Sequence, residues 1–326
     1  MATPPLRTAV AMAATEFGDP GKVLAPLTVD IPAPGPRQVV VQVRAAGVNP
    51  IDGKITRGLF GADPATLPRR IGSEAAGIVT AVGDGARYFA PDEADRREIC
   101  VGDEVIVYRA VGGYAQALLA DDSAVHAKPA ALDFPVAAGL LLTGVTAADL
   151  IGAVAVAADD TVVVHGGAGA VGSIAVQLAL RLGADVVATA APRNHEFLER
   201  LGAVPVVYGD GLAERIRDAS VGPVTVALDT VGTDEAVDSS LALGVPPTRI
   251  ASIAAFQRAD DGIVLLDGSG AEGKRRRAEA IAGLIADATS GDLIVEIAKT
   301  FPLTQAGAAL DELAGPHPRG KFVLLP

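Results

Sequence analysis

A strand, a glycine-rich turn and a helix follow one another in the middle of the chain, and this order constrains the fold more than any other feature. The β-branched run Thr161–His165 leads into Gly167-Ala-Gly169-Ala-Val-Gly172, and helix-spaced apolar residues continue to Leu182. We expect Gly167 to permit a tight turn, Gly169 to let the backbone approach a pyrophosphate, and Gly172 to allow close helix–strand packing. The pattern predicts a dinucleotide-binding βα unit.

The start of the predicted helix completes this phosphate site. The backbone N–H groups of Ala170, Val171 and Gly172 lie in the first helical turn, where they have no partner within the helix. The positive end of the helix dipole is also there. Both effects favour a bound phosphate group.

The next strand candidate, Asp185–Thr189, distinguishes the two nicotinamide dinucleotides. An NAD site has an acidic residue at the end of this strand, where it binds the ribose 2′-hydroxyl. Here Thr189 is followed by Ala-Ala-Pro-Arg193, without an acid. Arg193 can pair with a 2′-phosphate, and Thr189 can donate a hydrogen bond to it. We therefore predict NADPH as the cofactor.

The pattern along the chain predicts an α/β protein of two domains. The first third has short Val-rich runs between glycine and proline turns, as all-β modules have. Strands are expected there at 39–43, 75–82, 104–108 and 114–119. Helical stretches then alternate with β-branched runs at 161–165, 185–189, 205–208, 224–229, 249–253 and 263–266. This alternation predicts a doubly wound parallel sheet at 127–290, while 1–126 and 291–326 form the β-rich domain.

Charge and composition disfavour several classes of partner. The net charge of -12 disfavours nucleic acid and anionic membrane surfaces. The basic run Lys274–Arg277 is therefore interpreted as a solvated helix face, and the charged segment Tyr88–Glu98 as a solvated surface loop. Cys100 is the only cysteine, which excludes an intrachain disulfide and a structural zinc site built from cysteines. Met1–Val10 is not interpreted as a signal peptide and no membrane span is expected, so we predict a cytoplasmic protein.

Together with the glycine turn, a series of short motifs resembles the medium-chain dehydrogenase/reductase superfamily, specifically its quinone oxidoreductase (zeta-crystallin-like) branch. In chain order the motifs are Ala45-Ala-Gly-Val-Asn49-Pro-Ile-Asp52, Gly72-Ser-Glu74-Ala-Ala-Gly77, Val101-Gly-Asp103-Glu-Val105, Gly112-Gly-Tyr114-Ala, Thr143-Gly144, Asp229-Thr-Val-Gly232 and Gly320-Lys321. The resemblance implies that the β-rich domain is a GroES-like catalytic domain and that 127–290 is a Rossmann domain. It also implies an active site in the cleft between the two.

Zinc-containing members of the superfamily have ligands that this sequence lacks. They carry a ligand Cys where this chain has Asn49, a ligand His where it has Ser73, and another Cys near Gly139. We therefore expect no metal, and without that Lewis acid an unactivated alcohol has no means of losing its proton. The resemblance then implies NADPH-dependent reduction of an electron-poor substrate such as a quinone or an enone. The apolar character of the loops 56–68 and 255–262 predicts that this substrate is small and hydrophobic.

Such a reductase needs a hydrogen-bond donor for the developing oxyanion and a source of a proton. The candidate catalytic residues are Asn49, Lys54 and Asp52. Asn49 replaces a metal ligand of similar proteins, although it is alternatively a turn-forming residue before Pro50. Lys54 stands where zeta-crystallin-like sequences often have a Tyr. Asp52 is interpreted first as a structural group that bonds a nearby loop, and second as catalytic.

Further cofactor contacts follow from position in the family. The resemblance implies that Thr143 lies near the nicotinamide, Tyr208 near the adenosine ribose or phosphate, and Lys321 near the cleft. Tyr208 is alternatively a strand-end aromatic, and Lys321 a solvated charge. His126 and His165 are interpreted as structural.

Three other functions stay open at this stage. A biosynthetic enoyl reductase acting on a polyketide-like or acyl intermediate shares every motif above, and an NADPH-binding protein with little turnover belongs to a different class. A zinc alcohol dehydrogenase is the least consistent with the residues. Because the apolar run 263–266 is expected at the edge of the Rossmann sheet, we also predict a homodimer through this strand.

Overall fold

The computed structural model describes residues 7–326, without the side chain of Glu93. Part of the N-terminal segment interpreted above, Met1–Val10, therefore lies outside the described residues. The described chain forms two compact units. Unit 1 contains residues 7–142, 288–290 and 295–326, and unit 2 contains residues 143–287 and 291–294. The first division, after Leu142, lies farther along the chain than the boundary expected after residue 126.

The strands are β1 (Thr8–Ala14), β2 (Leu24–Asp30), β3 (Gln38–Val48), β4 (Arg69–Arg70), β5 (Glu74–Val82), β6 (Glu104–Tyr108), β7 (Ala117–Asp121), β8 (Val125–Ala127), β9 (Thr161–His165), β10 (Asp185–Thr189), β11 (Val204–Val206), β12 (Val226–Asp229), β13 (Ile250–Ser252), β14 (Val264–Leu265), β15 (Ile297–Pro302) and β16 (Lys321–Leu325). The α-helices are α1 (Pro20–Val23), α2 (Pro50–Thr56), α3 (Phe134–Ala153), α4 (Ala170–Arg181), α5 (His195–Leu201), α6 (Leu212–Ala219), α7 (Asp234–Ala242), α8 (Ala271–Ser290) and α9 (Ala306–Ala314). Short 3₁₀ helices span Pro64–Thr66, Glu93–Asp95, Asp122–Ala124, Pro192–Asn194, Pro247–Arg249, Phe256–Asp261 and Leu303–Gln305.

Two sheets form unit 1. Strand β1 pairs with β2 and β4 in a three-stranded antiparallel sheet. The larger sheet has the order β15-β16-β3-β5-β6-β8, and β7 also pairs with β3. Because β16 pairs antiparallel with β3, the C-terminal segment returns to the N-terminal module, as predicted. The core between these strands contains Val39, Val41, Tyr114 and Phe322.

Unit 2 is built on one parallel sheet with the strand order β11-β10-β9-β12-β13-β14. Every residue of the central strand β9 is buried, as expected for a strand covered on both faces. The chain adds β10 and β11 on one side of β9 and β12, β13 and β14 on the other. The carboxyl ends of β9 and β12 therefore flank the topological switch point, where such sheets bind ligands.

The segment Tyr88–Glu98 is anchored to unit 1, so the prediction of a merely solvated loop was wrong. The Tyr88 hydroxyl donates a hydrogen bond to Asp103 Oδ2 at 2.6 Å. The Arg96 side chain is only 8% exposed and pairs with the buried Asp122 carboxylate at 3.0 Å. Sequence alone gave no sign of these partners, because they lie outside the segment.

The basic run on α8 is only partly solvated, which also corrects the prediction. Arg275 pairs with acids of its own helix at exposed positions. Arg276 and Arg277 instead bind the two carboxylate oxygens of Asp149, a fully buried residue of α3, at 2.7 and 2.8 Å. Two of the four cations therefore neutralise a buried acid.

Helix α3 meets the length and composition of a membrane-spanning helix, with a mean hydropathy of 1.7, although the sequence was expected to contain no such window. In the structure 67% of this window is buried within the protein. The core helix of a soluble protein passes the same test.

Candidate active site

The glycine turn joins β9 to α4 and depends on one left-handed glycine and two close contacts. The left-handed backbone conformation lies at Gly166, with φ 78°, so the tight-turn role predicted for Gly167 belongs to the preceding residue. A Cβ on Gly167 would lie 2.6 Å from Cβ of Ala188, and a Cβ on Gly172 would lie 2.2 Å from the Gly166 carbonyl oxygen. Neither position has room for a side chain.

The N-terminus of α4 presents free donors beside this turn. Gly169 precedes the helix, and the N–H of Ser173 donates to the Gly169 carbonyl at 2.8 Å. The N–H groups of Ala170, Val171 and Gly172 come before this bond and have no partner within the helix. Such an arrangement suits a pyrophosphate, so the role predicted for these residues stays a prediction.

Thr189, at the end of β10, holds the glycine turn in place. Its hydroxyl oxygen accepts the Gly166 N–H at 3.0 Å, and its carbonyl accepts the Gly167 N–H at 3.0 Å. The hydroxyl hydrogen remains for a second acceptor, because a hydroxyl both donates and accepts.

The other predicted cofactor residues of unit 2 differ in exposure. Arg193 is exposed in the 3₁₀ helix after β10, and Tyr208 is 54% exposed shortly after β11. Since β9, β10 and β11 are parallel, the segments after them leave the same edge of the sheet. Thr143 is buried in α3.

His165 is engaged within the core of unit 2. Its Nε2 lies 2.9 Å from the Ser240 hydroxyl oxygen, which itself donates to the Ala236 carbonyl. Burial lowers the pKa of His165 to about 4, with the Asp229 carboxylate acting weakly in the opposite direction. The imidazole is therefore neutral and donates to Ser240, in accord with a structural role.

A buried polar cluster in unit 1 is centred on Asp52. Asn49 precedes α2, and its backbone N–H donates to Asp52 Oδ2 at 3.1 Å. The Ser73 hydroxyl donates to Asp52 Oδ1 at 2.5 Å, and the Tyr114 hydroxyl donates to Oδ2 at 2.7 Å. Burial raises the pKa of Asp52 to about 6, against the opposing effects of Ser73, Tyr114 and the Lys321 charge.

Asn49 and Lys321 form the second part of this cluster with Glu74, and all three are at most 3% exposed. The Lys321 Nζ donates to Asn49 Oδ1 at 2.5 Å, to Glu74 Oε1 at 3.0 Å and to the Val48 carbonyl at 3.2 Å. The Asn49 amide donates to Glu74 Oε1 at 3.0 Å and to the Gly47 carbonyl at 3.3 Å. The hydrogen-bond donors of both side chains are therefore occupied by oxygen atoms of the protein.

The structure brings Asn49, Asp52 and Lys321 together and leaves Lys54 apart from them. Lys54 and Ile51, three residues apart on α2, are exposed, whereas Asp52 between them is fully buried. Sequence reasoning missed Glu74 as a site residue. A carboxylate that begins an otherwise apolar strand is a signal that could have found it, since buried acids are almost always paired.

The residues at the zinc-ligand positions do not fit zinc. Asn49 and Ser73 offer an amide and a hydroxyl, and a Cβ on Gly139 would lie 3.3 Å from the Lys321 side chain. Zinc prefers thiolate, imidazole and carboxylate ligands, and an ammonium group has no lone pair to offer. Over residues 7–326, no cluster of three or more His, Cys, Asp or Glu has the arrangement of a metal site.

Comparison with known proteins places both units in one family. Residues 35–132 match the alcohol dehydrogenase GroES-like domain, and residues 170–269 match the zinc-binding dehydrogenase domain. Quinone oxidoreductase of Pseudomonas aeruginosa is 31% identical over 317 residues, which are 90% of this chain and 92% of that protein. The chain belongs to the quinone oxidoreductase branch of the medium-chain dehydrogenase/reductase superfamily. The predicted GroES-like and Rossmann folds are thereby confirmed.

A further relative and two solved structures extend the comparison. Human quinone oxidoreductase is 36% identical over 177 residues, 54% of this chain and 50% of that protein, so the alignment spans about half of the first curated relatives. The Escherichia coli quinone oxidoreductase structure complexed with NADPH has a TM-score of 0.82 and 27% identity, covering 97% of this chain and all of that one. The structure of CurK enoyl reductase has a TM-score of 0.82 and 26% identity, covering 97% and 99%.

Proposed function

We propose that this protein is an NADPH-dependent oxidoreductase that transfers hydride to a quinone, an enone or a similarly activated carbonyl compound. The observation that carries the proposal is the glycine turn at the switch point of the parallel sheet, with free N–H groups on α4 and no acid at the end of β10. The relatives named quinone oxidoreductase, one of them solved with NADPH, support it.

The chain's own residues bind and orient the cofactor, which supplies the hydride when bound. In this proposal the N–H groups of Ala170, Val171 and Gly172 bind the pyrophosphate, and Gly169 leaves room for it. The Thr189 hydroxyl and the Arg193 guanidinium bind the 2′-phosphate. The proposed contacts are completed by Thr143 at the nicotinamide and Tyr208 at the adenosine ribose or phosphate.

Asp52 and Ser73 are proposed to supply the proton. Reduction leaves an oxyanion on the substrate, which needs one proton for each hydride. A protonated Asp52 donates to Ser73, and the half-buried Ser73 hydroxyl passes its own proton outward, which leaves Asp52 as a carboxylate. Asn49 and Lys321 have their donors engaged, so we assign them to positioning this cluster.

Lys54 remains the second candidate for the proton donor, because its exposed amine has access to solvent. If it acts in this way, Lys54→Met should lower kcat at least tenfold with NADPH and a quinone. Lys274→Met on α8 is the control and should leave kcat unchanged.

Zinc independence, a homodimer and a cytoplasmic location belong to the same proposal. Zinc independence is supported by the donor set at Asn49, Ser73 and Gly139. The homodimer is supported by the position of β14 at the end of the sheet. We propose that the substrate is small and hydrophobic and that nucleic acids and membranes are not partners, in keeping with the net charge of -12.

The test is oxidation of NADPH with quinones, enones and aldehydes in parallel, repeated with NADH. We expect turnover with quinones or enones and a preference for NADPH that Arg193→Ala reduces at least tenfold. Failure of calorimetry to detect binding of any nicotinamide dinucleotide would overturn the proposal.

Two alternatives have distinct outcomes in the same experiment. The likeness to CurK enoyl reductase favours a biosynthetic enoyl reductase as the second candidate, and turnover confined to acyl thioester enones would support it. An NADPH-binding protein with little turnover would bind the dinucleotide without oxidising it in the presence of any acceptor.

A further inference from the structure

Each of the three hydrogens of the Lys321 ammonium group has an oxygen acceptor in the structure. A protonated lysine has three N–H donors and no acceptor. Three oxygens receive them: Val48 O, Asn49 Oδ1 and Glu74 Oε1, at 3.2, 2.5 and 3.0 Å. We call these three atoms the oxygen cage. Its single formal negative charge, on Glu74, matches the single positive charge of the amine.

Two glycines make room for the oxygen cage and for the side chain that enters it. A Cβ on Gly47 would lie 2.5 Å from Glu74 Oε1 and 2.3 Å from the Ala138 carbonyl oxygen. A Cβ on Gly139 would lie 3.3 Å from Cβ and Cγ of Lys321. The absence of a side chain at these two positions therefore leaves the space that the Glu74 carboxylate and the aliphatic part of Lys321 occupy.

The oxygen cage is also held from outside. The second oxygen of Glu74 accepts the Leu142 N–H at 2.9 Å. The Lys321 N–H donates to the Glu296 carbonyl at 2.7 Å, and β16 is paired to β3, which carries Val48. The Asn49 amide is held through its Nδ2 group, which donates to Glu74 Oε1 and to the Gly47 carbonyl. Because the carboxylate, the amide and the strand backbone each have support besides the amine, the oxygen cage should keep its shape when the amine is removed.

We infer that Lys321 acts as a tethered cation in a monovalent cation site, and that the oxygen cage takes up ammonium, methylammonium or potassium once the amine is removed. One carboxylate and two neutral carbonyl oxygens suit a large ion of single charge, as carbonyl groups do in potassium sites. The N–O separations exceed the roughly 2.0–2.2 Å at which zinc or magnesium binds oxygen. A buried carboxylate left without a cation is costly, which provides the driving force for uptake.

The experiment compares thermal unfolding of wild type, Lys321→Ala and Lys321→Ala/Glu74→Gln. Each protein is measured in tetramethylammonium chloride and in ammonium, methylammonium or potassium chloride at equal ionic strength. For Lys321→Ala we expect a lower Tm in tetramethylammonium and a saturable rise of at least about 2 °C with the smaller cations. Wild type and the double variant should show no such rise.

Equal responses of wild type and Lys321→Ala to the cations would overturn the inference, as would a Lys321→Ala variant as stable as wild type in tetramethylammonium. If Lys321→Ala is unfolded in tetramethylammonium, far-ultraviolet circular dichroism supplies the same comparison. Recovery of the folded signal with ammonium but not with tetramethylammonium supports the cation site, and no recovery contradicts it. These measurements require neither NADPH nor a substrate.

Discussion

At Asp52, burial and hydrogen bonding act on one carboxyl group in opposite directions. Burial disfavours the charged form, while the hydroxyls of Ser73 and Tyr114 and the charge of Lys321 favour it, and the nearby Glu74 disfavours it again. The result is a pKa of about 6, above the ordinary value for an aspartate. A group with this pKa exchanges its proton close to neutral pH, which suits the role proposed for it.

The raised pKa of Asp52 predicts how stability depends on pH. Between about pH 4 and pH 6 the folded protein holds a proton here that the unfolded chain has released, so stability falls as the pH rises. Relative to Asp52→Asn, the free energy of unfolding of wild type should decrease by about 2 kcal/mol from pH 4 to pH 7. Urea unfolding across this range measures the difference. The exposed Asp30→Asn should show no such trend, and a pH-independent difference for Asp52→Asn would contradict the prediction.

At the scale of elements, local pattern predicted some segments fully and others not at all. The bounds of β9 and β10 agree with the sequence analysis, because each is a run of apolar and β-branched residues typical of a buried strand. Helix α7 was missed, since its sequence DEAVDSSLA has few large apolar residues. In the structure Thr233 caps its N-terminus and Val237 is buried. Strand β1 was missed because TAVAMAA, rich in alanine, does not have the composition of a strand.

Part of the candidate site could likewise be predicted from the local sequence, and part could not. The glycine turn is contiguous in sequence, so its residues could be predicted together, although Gly166 rather than Gly167 has the left-handed conformation. The pair of Glu74 and Lys321 is separated by 247 residues, and only the pairing of β16 with β3 brings the two together. No local pattern carries that information.

The contact at Gly172 allows the turn to be tested as one element. Gly172→Ala places a methyl group against the Gly166 carbonyl, which should displace the turn and weaken NADPH binding at least tenfold in calorimetry. Gly283→Ala is the matched control, because a Cβ there meets nothing within 4 Å in the middle of α8. This control should keep its affinity and gain about 0.5–1 kcal/mol of stability. Equal affinities of the two variants would disprove the role of Gly172.

For the whole molecule, the two edges of the parallel sheet differ in their capacity to pair. Edge strand β11 contains Pro205, which has no N–H to donate. On β14 the Leu266 N–H turns inward to the Ser252 carbonyl at 2.9 Å, so by alternation the Leu265 N–H faces outward. The edge at β14 is therefore the one open to a second copy of the chain.

A matched pair of substitutions tests the proposed dimer. Light scattering of wild type should give twice the chain mass of 32.8 kDa. Val264→Lys on β14 should reduce it to one chain, because pairing across a two-fold axis opposes like charges. Val204→Lys on β11 should leave the mass of wild type unchanged. A wild type that is monomeric at all concentrations would rule out the dimer.

The proline on edge strand β11 also limits the number of chains that can join through this sheet. A sheet with two open ends can add copies without end and build a fibre, whereas a sheet with one open end is saturated by a single partner. Pro205 therefore restricts assembly through this sheet to a pair of chains.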